Sequence, residues 1–230
     1  MENYDYIKKN YLELSDEIES LSCKAGYGKV TLVCVTKSGS DEELTALAAA
    51  GAENIGENRP QEVKRRGDLL TEAGFNQKMH EIGTLQRNKV KLIIERAALI
   101  HSLDSESLAK EIEKQAEKIG RRMPVLVEIN SAEEESKSGI MPKDAEEFCK
   151  TVLKYPHLEL RGLMTMGPVC ENPEDIRPYF KATRAIFDEL ASKGYFGSEP
   201  ILSMGMSDSY AVAIEEGSTM VRVGRKLFRK

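Results

Sequence analysis

Cysteine, histidine and clustered basic residues are scarce in this sequence. The three histidines show no metal-ligand spacing, and the four cysteines contain no Cys-x-x-Cys pair: Cys23, Cys34, Cys149 and Cys170. Neither a disulfide framework nor a zinc site is therefore predicted, and we expect reduced thiols. The formal net charge is -5 and no block of lysine and arginine stands out, so nucleic acid is not an expected partner.

Long apolar runs are also missing. No stretch approaches the roughly 18 residues that a membrane span needs. The first five residues carry acid where a signal peptide would carry base, so we expect a cytoplasmic protein with no membrane partner. A length of 230 residues is enough for one barrel or two small domains. A small molecule or another protein is the expected ligand.

The apolar stretch from Val30 to Lys37 is rich in β-branched residues and predicts a strand buried on both faces. A period of two places Val33, Val35 and Lys37 on one interior-facing row. Lys37 would then lie at the C-terminal mouth, where parallel α/β folds carry their chemistry. Two interpretations stay open: a buried lysine with a lowered pKa that attacks an aldehyde, or a strand-end lysine that extends its amine into water.

The same pattern of strand and helix recurs along the chain. Strands are predicted at 30–37, 54–58, 78–83, 99–103, 123–130, 160–166, 201–207 and 220–224. Eight such units predict a (β/α)8 TIM barrel forming a single domain over 1–230. An open doubly wound sheet is the alternative, but no Gly-x-Gly-x-x-Gly turn follows the first strand. Few residues follow Gly224, so the N-terminal helix, within 1–25, is expected to cover the last part of the barrel wall.

The strand ends of such a barrel would gather one group of residues around its mouth: Lys37, Asn58, Met164, Ser203, Ser207, Arg222 and Gly224. The loops after strands seven and eight often bind phosphate in this fold. Here they supply small residues, hydroxyls and Arg225, although small residues also pack tight turns. Strand alternation points Glu128 and Arg222 inward, either as a structural ion pair or with Arg222 facing a ligand nitrogen.

Seven short motifs follow one another along nearly the whole chain, at 35–37, 56–59, 82–89, 135–139, 162–165, 202–207 and 217–224. They read Val-Thr-Lys, Gly-Glu-Asn-Arg, Ile-Gly with Leu-Gln and Asn-Lys, Glu-Ser-Lys-Ser-Gly, Gly-Leu-Met-Thr, Leu-Ser-Met-Gly-Met-Ser and Gly-Ser-Thr-Met-Val-Arg-Val-Gly. In this order they resemble the pyridoxal phosphate homeostasis protein family, the YggS-like group related to the N-terminal barrel of alanine racemase.

The resemblance implies a role for each candidate site residue. Lys37 would form the internal aldimine with pyridoxal 5'-phosphate (PLP), and Arg222 would face the pyridine nitrogen. The phosphate would be held by Ser203, Ser207, Gly224 and Arg225, and the pocket would be lined by Asn58 and Met204. Two positions depart from the family pattern: Thr84 stands where a histidine is usual, and Arg225 where a threonine is common.

The resemblance also implies what the protein does. It predicts a monomer that binds PLP for intracellular vitamin B6 homeostasis with little or no turnover, with PLP-dependent apo-enzymes as candidate partners and no catalytic residues. A single-domain PLP-dependent amino-acid racemase is the alternative. Racemisation needs a base on each face of the α-carbon. Alanine racemases take the second one, a tyrosine, from near the partner subunit's second domain, and the resemblance does not extend to such a domain.

Overall fold

Eight parallel strands close into a barrel in the computed structural model, which describes residues 4–134 and 136–230. Each strand pairs with its neighbours in sequence, and β8 returns to pair with β1. The prediction of a (β/α)8 barrel is confirmed. Strands β1 to β8 are Thr31–Val35, Asn54–Glu57, Lys78–Glu81, Ala97–Leu103, Met123–Glu128, Leu158–Met164, Ile201–Ser203 and Met220–Val223.

The described residues also form eight α-helices that surround the barrel. Helix α1 precedes β1, and each of the other seven lies between two successive strands. Helices α1 to α8 are Asp5–Ala25, Asp41–Ala49, Pro60–Glu72, Val90–Ile93, Glu106–Lys118, Ala145–Val152, Arg177–Ser192 and Tyr210–Glu215. The sequence marks the start of two of them: Ser40 and Glu43 form a capping box at α2, and Ser105 accepts a hydrogen bond from the backbone N–H of Leu108 to cap α5.

Two apolar layers hold the fold together. A small cluster fills the barrel interior and consists of Val33, Leu99, Leu126, Met164 and Met220. A larger layer between strands and helices contains the residues that alternate with these, such as Cys34, Val125 and Val221. The predicted alternation of β1, β5 and β8 is confirmed, because each strand sends one row to each layer.

Several element boundaries differ from those predicted. Between β3 and β4 the structure has a 3-10 turn, Arg87–Lys89, followed by the short α4, and β4 begins at Ala97 rather than at the predicted Leu99. Strand β7 ends at Ser203 instead of residue 207. Gly205 has a positive φ of 95°, and a Cβ there would lie 2.5 Å from Cβ of Ala213 in α8, so the chain turns under that helix.

Helix α1 covers the gap in the wall between β8 and β1, as predicted. It contacts α2 and α8, and Ile7 and Ile18 are buried against the core. The side-chain amide of Asn10 donates to the carbonyl of Leu227 at 3.1 Å and to that of Arg229 at 2.7 Å. The helix is thus a structural part of the barrel.

The described residues were also compared with the requirements of a membrane span, a disulfide and a metal site. No helix within 4–134 and 136–230 has the length and apolarity to cross a membrane. All four cysteines are free thiols. In the same part of the chain, no group of histidine, cysteine and carboxylate side chains is arranged to hold a metal ion.

Substitutions in α1 test its structural role. Ile7 is 0% exposed and Leu12, on the same helix, is 45% exposed. Ile7→Ala is expected to lower the free energy of unfolding by about 2–5 kcal/mol, because it removes buried methyl groups and leaves a cavity. The matched control Leu12→Ala should change it by less than about 0.5 kcal/mol. Urea titration measures both, and equal losses in the two variants would contradict this packing.

Candidate functional site

The C-terminal ends of the strands surround a cavity of about 1010 Å³. Six of the eight predicted site residues line it: Lys37, Asn58, Ser207, Arg222, Gly224 and Arg225. Thr84, the first departure from the family pattern, also lies in its wall. The position agrees with the usual location of ligand sites in this fold. Residues from β1, β2 and β8, far apart in sequence, therefore meet at one opening.

Lys37 lies two residues beyond the end of β1, in the turn after Val35, and it is exposed. Of the two interpretations left open by the sequence, the structure shows the strand-end lysine that extends into water and not the buried one. Strand alternation predicted the direction of the side chain but not its burial, because the turn carries Lys37 above the barrel interior. Its side chain nevertheless lines the large cavity and also a second cavity of about 370 Å³ beside it. The amine is thus accessible both to water and to a ligand.

The loops after β7 and β8 are joined by the hydroxyl of Ser207. Its Oγ accepts hydrogen bonds from the backbone N–H groups of Gly224 at 3.3 Å and Arg225 at 3.2 Å. A Cβ at Gly224 would lie 2.7 Å from the carbonyl oxygen of Val35, so the glycine also permits close packing of β8 on β1. The guanidinium of Arg225 pairs with Asp208 at the exposed mouth. Backbone donors, a hydroxyl and a cation are therefore concentrated on one side of the cavity.

Arg222 is a buried cation in the cavity wall, only 4% exposed. Its NH1 group donates to Ser203 O at 3.0 Å and to Ser203 Oγ at 2.6 Å, and its NH2 group donates to Thr165 O at 3.1 Å. Burial lowers its pKa to about 10, so it stays charged at neutral pH. A guanidinium has five N–H groups, and those not used here are available to the cavity.

Glu128 lies in the same wall at the end of β5 and is 4% exposed. Burial raises its pKa, as does the charge of Asp104, while a hydrogen bond from Ser138 Oγ at 3.3 Å and the charge of Arg222 lower it in part. The ion pairs among the described residues do not include one between Glu128 and Arg222. The predicted structural pair is therefore not formed, and Arg222 is held by backbone and hydroxyl oxygens instead.

A chain of hydrogen bonds continues from Arg222 into the barrel interior. Ser203 Oγ lies 3.1 Å from His101 Nδ1, His101 Nε2 lies 2.9 Å from His80 Nδ1, and His80 Nε2 lies 3.1 Å from Asn54 Oδ1. Burial lowers the pKa of His80 to about 3 and that of His101 well below its usual range, so both rings are neutral.

Neutral rings fix the direction of every proton in this chain. The amide oxygen of Asn54 accepts from His80 Nε2, so His80 Nδ1 accepts from His101 Nε2. His101 Nδ1 then accepts from the hydroxyl of Ser203, whose oxygen is left to accept from Arg222. The sequence analysis gave these histidines no such role. The signal that could have found them is the alternation of β3, which turns His80 inward next to the outward Met79.

Ser203 and Met204 do not line the cavity, contrary to the expectation for both. Ser203 is 0% exposed and its hydroxyl is engaged by Arg222 and His101. Met204 is 0% exposed and packs in the layer between strands and helices. Both assignments to the cofactor site came from the family resemblance. In the structure the alternation of β7 turns Ser203 toward the barrel interior and Met204 outward to the helices.

The neutral histidines make acid stability testable. The unfolded chain gains a proton at His80 as the pH falls below 6.5, whereas folded His80 gains none until about pH 3. Its contribution to stability is thus complete above 6.5 and is lost as the pH falls toward 3. His80→Gln, whose amide can replace both hydrogen bonds, should lose less stability on acidification, by up to about 1.4 kcal/mol per pH unit.

Urea unfolding of the wild type and of His80→Gln at several pH values between 7 and about 4.5 measures this difference. Curves of stability against pH that run parallel for the two proteins would contradict the neutral, buried assignment.

Comparison with known proteins places this geometry in a family. Residues 9–229 match the model of the alanine racemase N-terminal domain. The pyridoxal phosphate homeostasis protein of Aquifex aeolicus is 40% identical over 215 residues, which are 93% of each chain. The PipY protein of Synechococcus elongatus, solved with PLP bound, superposes with a TM-score of 0.84 at 27% identity, over 97% of this chain and 100% of that chain.

The alanine racemase of Clostridium difficile, in complex with cycloserine, is a more distant structural neighbour. It is 17% identical, with a TM-score of 0.73 over 99% of this chain and 59% of the racemase. That likeness shows a shared barrel. The family match and the identity to full-length relatives go further: this chain belongs to the alanine racemase N-terminal domain family and, within it, to the pyridoxal phosphate homeostasis proteins.

Proposed function

We propose that this protein binds PLP in the large cavity, with Lys37 as its covalent anchor, and serves in intracellular PLP homeostasis. The observation that carries this proposal is the meeting of three unlike groups in one cavity: a primary amine at Lys37, a buried guanidinium at Arg222, and the Ser207 loop with its backbone donors. The names of the relatives and the PLP bound by PipY support it.

The phosphate and the ring nitrogen of PLP both have complementary groups in the cavity wall. The phosphate matches the hydroxyl proton of Ser207, whose oxygen accepts from the N–H groups of Gly224 and Arg225, and the positive charge of the Arg225 side chain. The ring nitrogen, an acceptor, matches Arg222. Ser102 Oγ is buried in the same wall without a hydrogen-bond partner, so a polar ligand atom would satisfy it. Cavities of this size accommodate small-molecule ligands.

Bound PLP would supply an aldehyde that condenses with primary amines and a ring that withdraws electrons. Arg222 limits the second property. An arginine is a donor only, so it offers an N–H group to the ring nitrogen and disfavours protonation there. Ser203 and His101 keep Arg222 in this donor arrangement. The ring is then a weak electron sink, which favours holding PLP over turning over amino acids.

The rest of the cavity wall also supports binding over racemisation. Among the described residues that line it, none is a tyrosine, the residue that supplies the second base in alanine racemases. The exposed position of Lys37 favours reversible capture, because water and other amines can reach the bond and release the aldehyde. We therefore propose a monomeric cytoplasmic carrier from which PLP-dependent apo-enzymes receive the cofactor.

Absorbance tests the anchor. Titration of the wild-type protein with PLP is expected to give a Schiff-base band at about 420 nm, a property of the cofactor's chemistry. Lys37→Ala should give none. Lys37→Arg is the matched control: it keeps the positive charge but has no primary amine, so it should retain phosphate-dependent binding and also lack the band. A band of wild-type intensity in either variant would contradict the assignment of Lys37.

Incubation of PLP-loaded protein with single enantiomers of amino acids separates carrier from racemase. The carrier proposal expects optical rotation to stay constant over many hours at high protein concentration. Sustained loss of rotation that disappears in Lys37→Ala would instead establish racemisation and overturn the proposal.

A further inference from the structure

A buried arginine lies directly beneath the turn that carries Lys37. Arg66, in the middle of α3, is 7% exposed. Its NH1 group donates to the carbonyl of Thr36 at 2.6 Å, and its NH2 group donates to the carbonyl of Gly39 at 2.6 Å. These two carbonyls flank Lys37 and Ser38 on either side. One rigid, planar guanidinium therefore bridges both ends of the turn.

Glu57 holds this guanidinium in place. Its Oε1 accepts from Arg66 NH1 at 2.7 Å, and the hydroxyl of Thr36 donates to the same oxygen. Glu57 is 1% exposed and Thr36 is 0% exposed. An ion pair this deeply buried adds little net stability, because the desolvation of two charges offsets their attraction. What it does fix is geometry: β1, β2 and α3 are tied together at the base of the turn.

A second buried carboxyl lies beside Glu57. Glu81 is its register partner on β3 and is 0% exposed. Burial, together with the charge of Glu57, raises the pKa of Glu81 to about 8. Glu81 therefore favours its neutral form, and Arg66 forms its ion pair with Glu57.

The Lys37 side chain borders two cavities. It lines both the large cavity with Arg222 and the smaller one beside Arg66. No described residue accepts a hydrogen bond from its amine. The direction of this flexible side chain is thus set by the backbone from which it starts, and the backbone is what Arg66 fixes.

We propose that Arg66 and Glu57 are positioning residues that clamp the turn over 36–39 and aim the Lys37 amine at the aldehyde carbon of the ligand. This inference rests on the proposed function of Lys37. In the step it serves, the amine nitrogen forms a C=N bond to the aldehyde carbon, and the aldehyde oxygen leaves as water. The clamp acts on that step and leaves the phosphate loop untouched, because Ser207 and Gly224 lie on other elements.

Two ligands separate these contributions. PLP carries the aldehyde, whereas pyridoxine 5'-phosphate carries an alcohol at the same carbon and cannot react with Lys37. The ratio of their dissociation constants, measured by fluorescence and calorimetric titration, reports aldehyde capture alone. We expect Arg66→Gln to bind pyridoxine 5'-phosphate like the wild type and to lose about tenfold or more of its preference for PLP, since small misplacement of a reacting group is costly.

Arg65 offers a matched control on the same helix. Its side chain pairs with Asp41 and Glu62, two carboxylates that also lie 3.5 and 3.4 Å from Arg66 Nε, but it makes no hydrogen bond to the carbonyls of Thr36 and Gly39. Arg65→Gln therefore removes the same charge while Arg66 keeps its bonds to the turn, and it should leave the ratio unchanged. Arg66→Lys guards against a folding defect. It keeps the charge next to Glu57, but a single ammonium does not present the planar fork that reaches both carbonyls, so its ratio should also fall.

The outcomes are distinguishable. An unchanged ratio in Arg66→Gln and Arg66→Lys would overturn the clamp, as would an equal loss of affinity for both ligands, which indicates general damage to the cavity. A wild-type protein that binds PLP no better than pyridoxine 5'-phosphate would instead contradict the proposed role of Lys37, and with it the purpose of the clamp. Circular dichroism melting of every variant confirms that folded protein is compared.

Discussion

The buried guanidinium of Arg222 is the constraint around which this barrel interior is arranged. A permanent cation at 4% exposure needs hydrogen-bond acceptors. The chain supplies three: the carbonyl of Thr165, directly after β6, and the carbonyl and hydroxyl of Ser203 in β7. The two neutral histidines then direct the hydroxyl proton of Ser203 toward His101, so that its oxygen accepts from Arg222. The polar interior thus serves to present one oriented donor to the cavity.

The residues that line the cavity differ in burial. Around Arg222 the groups are buried and their protonation is fixed, which suits recognition of a ring nitrogen. Around Lys37, Ser207 and Arg225 the groups are more open, which suits a ligand that must enter and leave. The proposed carrier role would need both properties, since a carrier must select its ligand and still release it.

Local periodicity was enough to predict the strands, their closure into a barrel and the inward rows. The side chains of Glu128 and Arg222 were placed in the correct wall because a strand turns alternate residues to opposite faces. Prediction failed at two residues for different reasons. Lys37 lies in the turn after β1, so its side chain is exposed although its direction was predicted. Met204 was assigned to the pocket by resemblance alone, whereas the alternation of β7 turns it outward to the helices.

The tertiary networks were beyond sequence reasoning. His80, His101 and Ser203 come from three separate strands, and Arg66 reaches Thr36 and Gly39 from helix α3, which follows α2 and β2 in the chain. Nothing in the spacing of these residues indicates that they meet. Hydrogen bonds between these distant residues satisfy their buried charges and hydroxyls. Only the assembled barrel therefore shows which donor pairs with which acceptor.

The central claim is that one amine captures the aldehyde of PLP. Borohydride reduction of the protein mixed with equimolar PLP, followed by intact mass measurement and peptide mapping, tests it most directly. The account predicts a single covalent adduct located on Lys37. An unmodified protein, or an adduct distributed over surface lysines with Lys37 free, would contradict it.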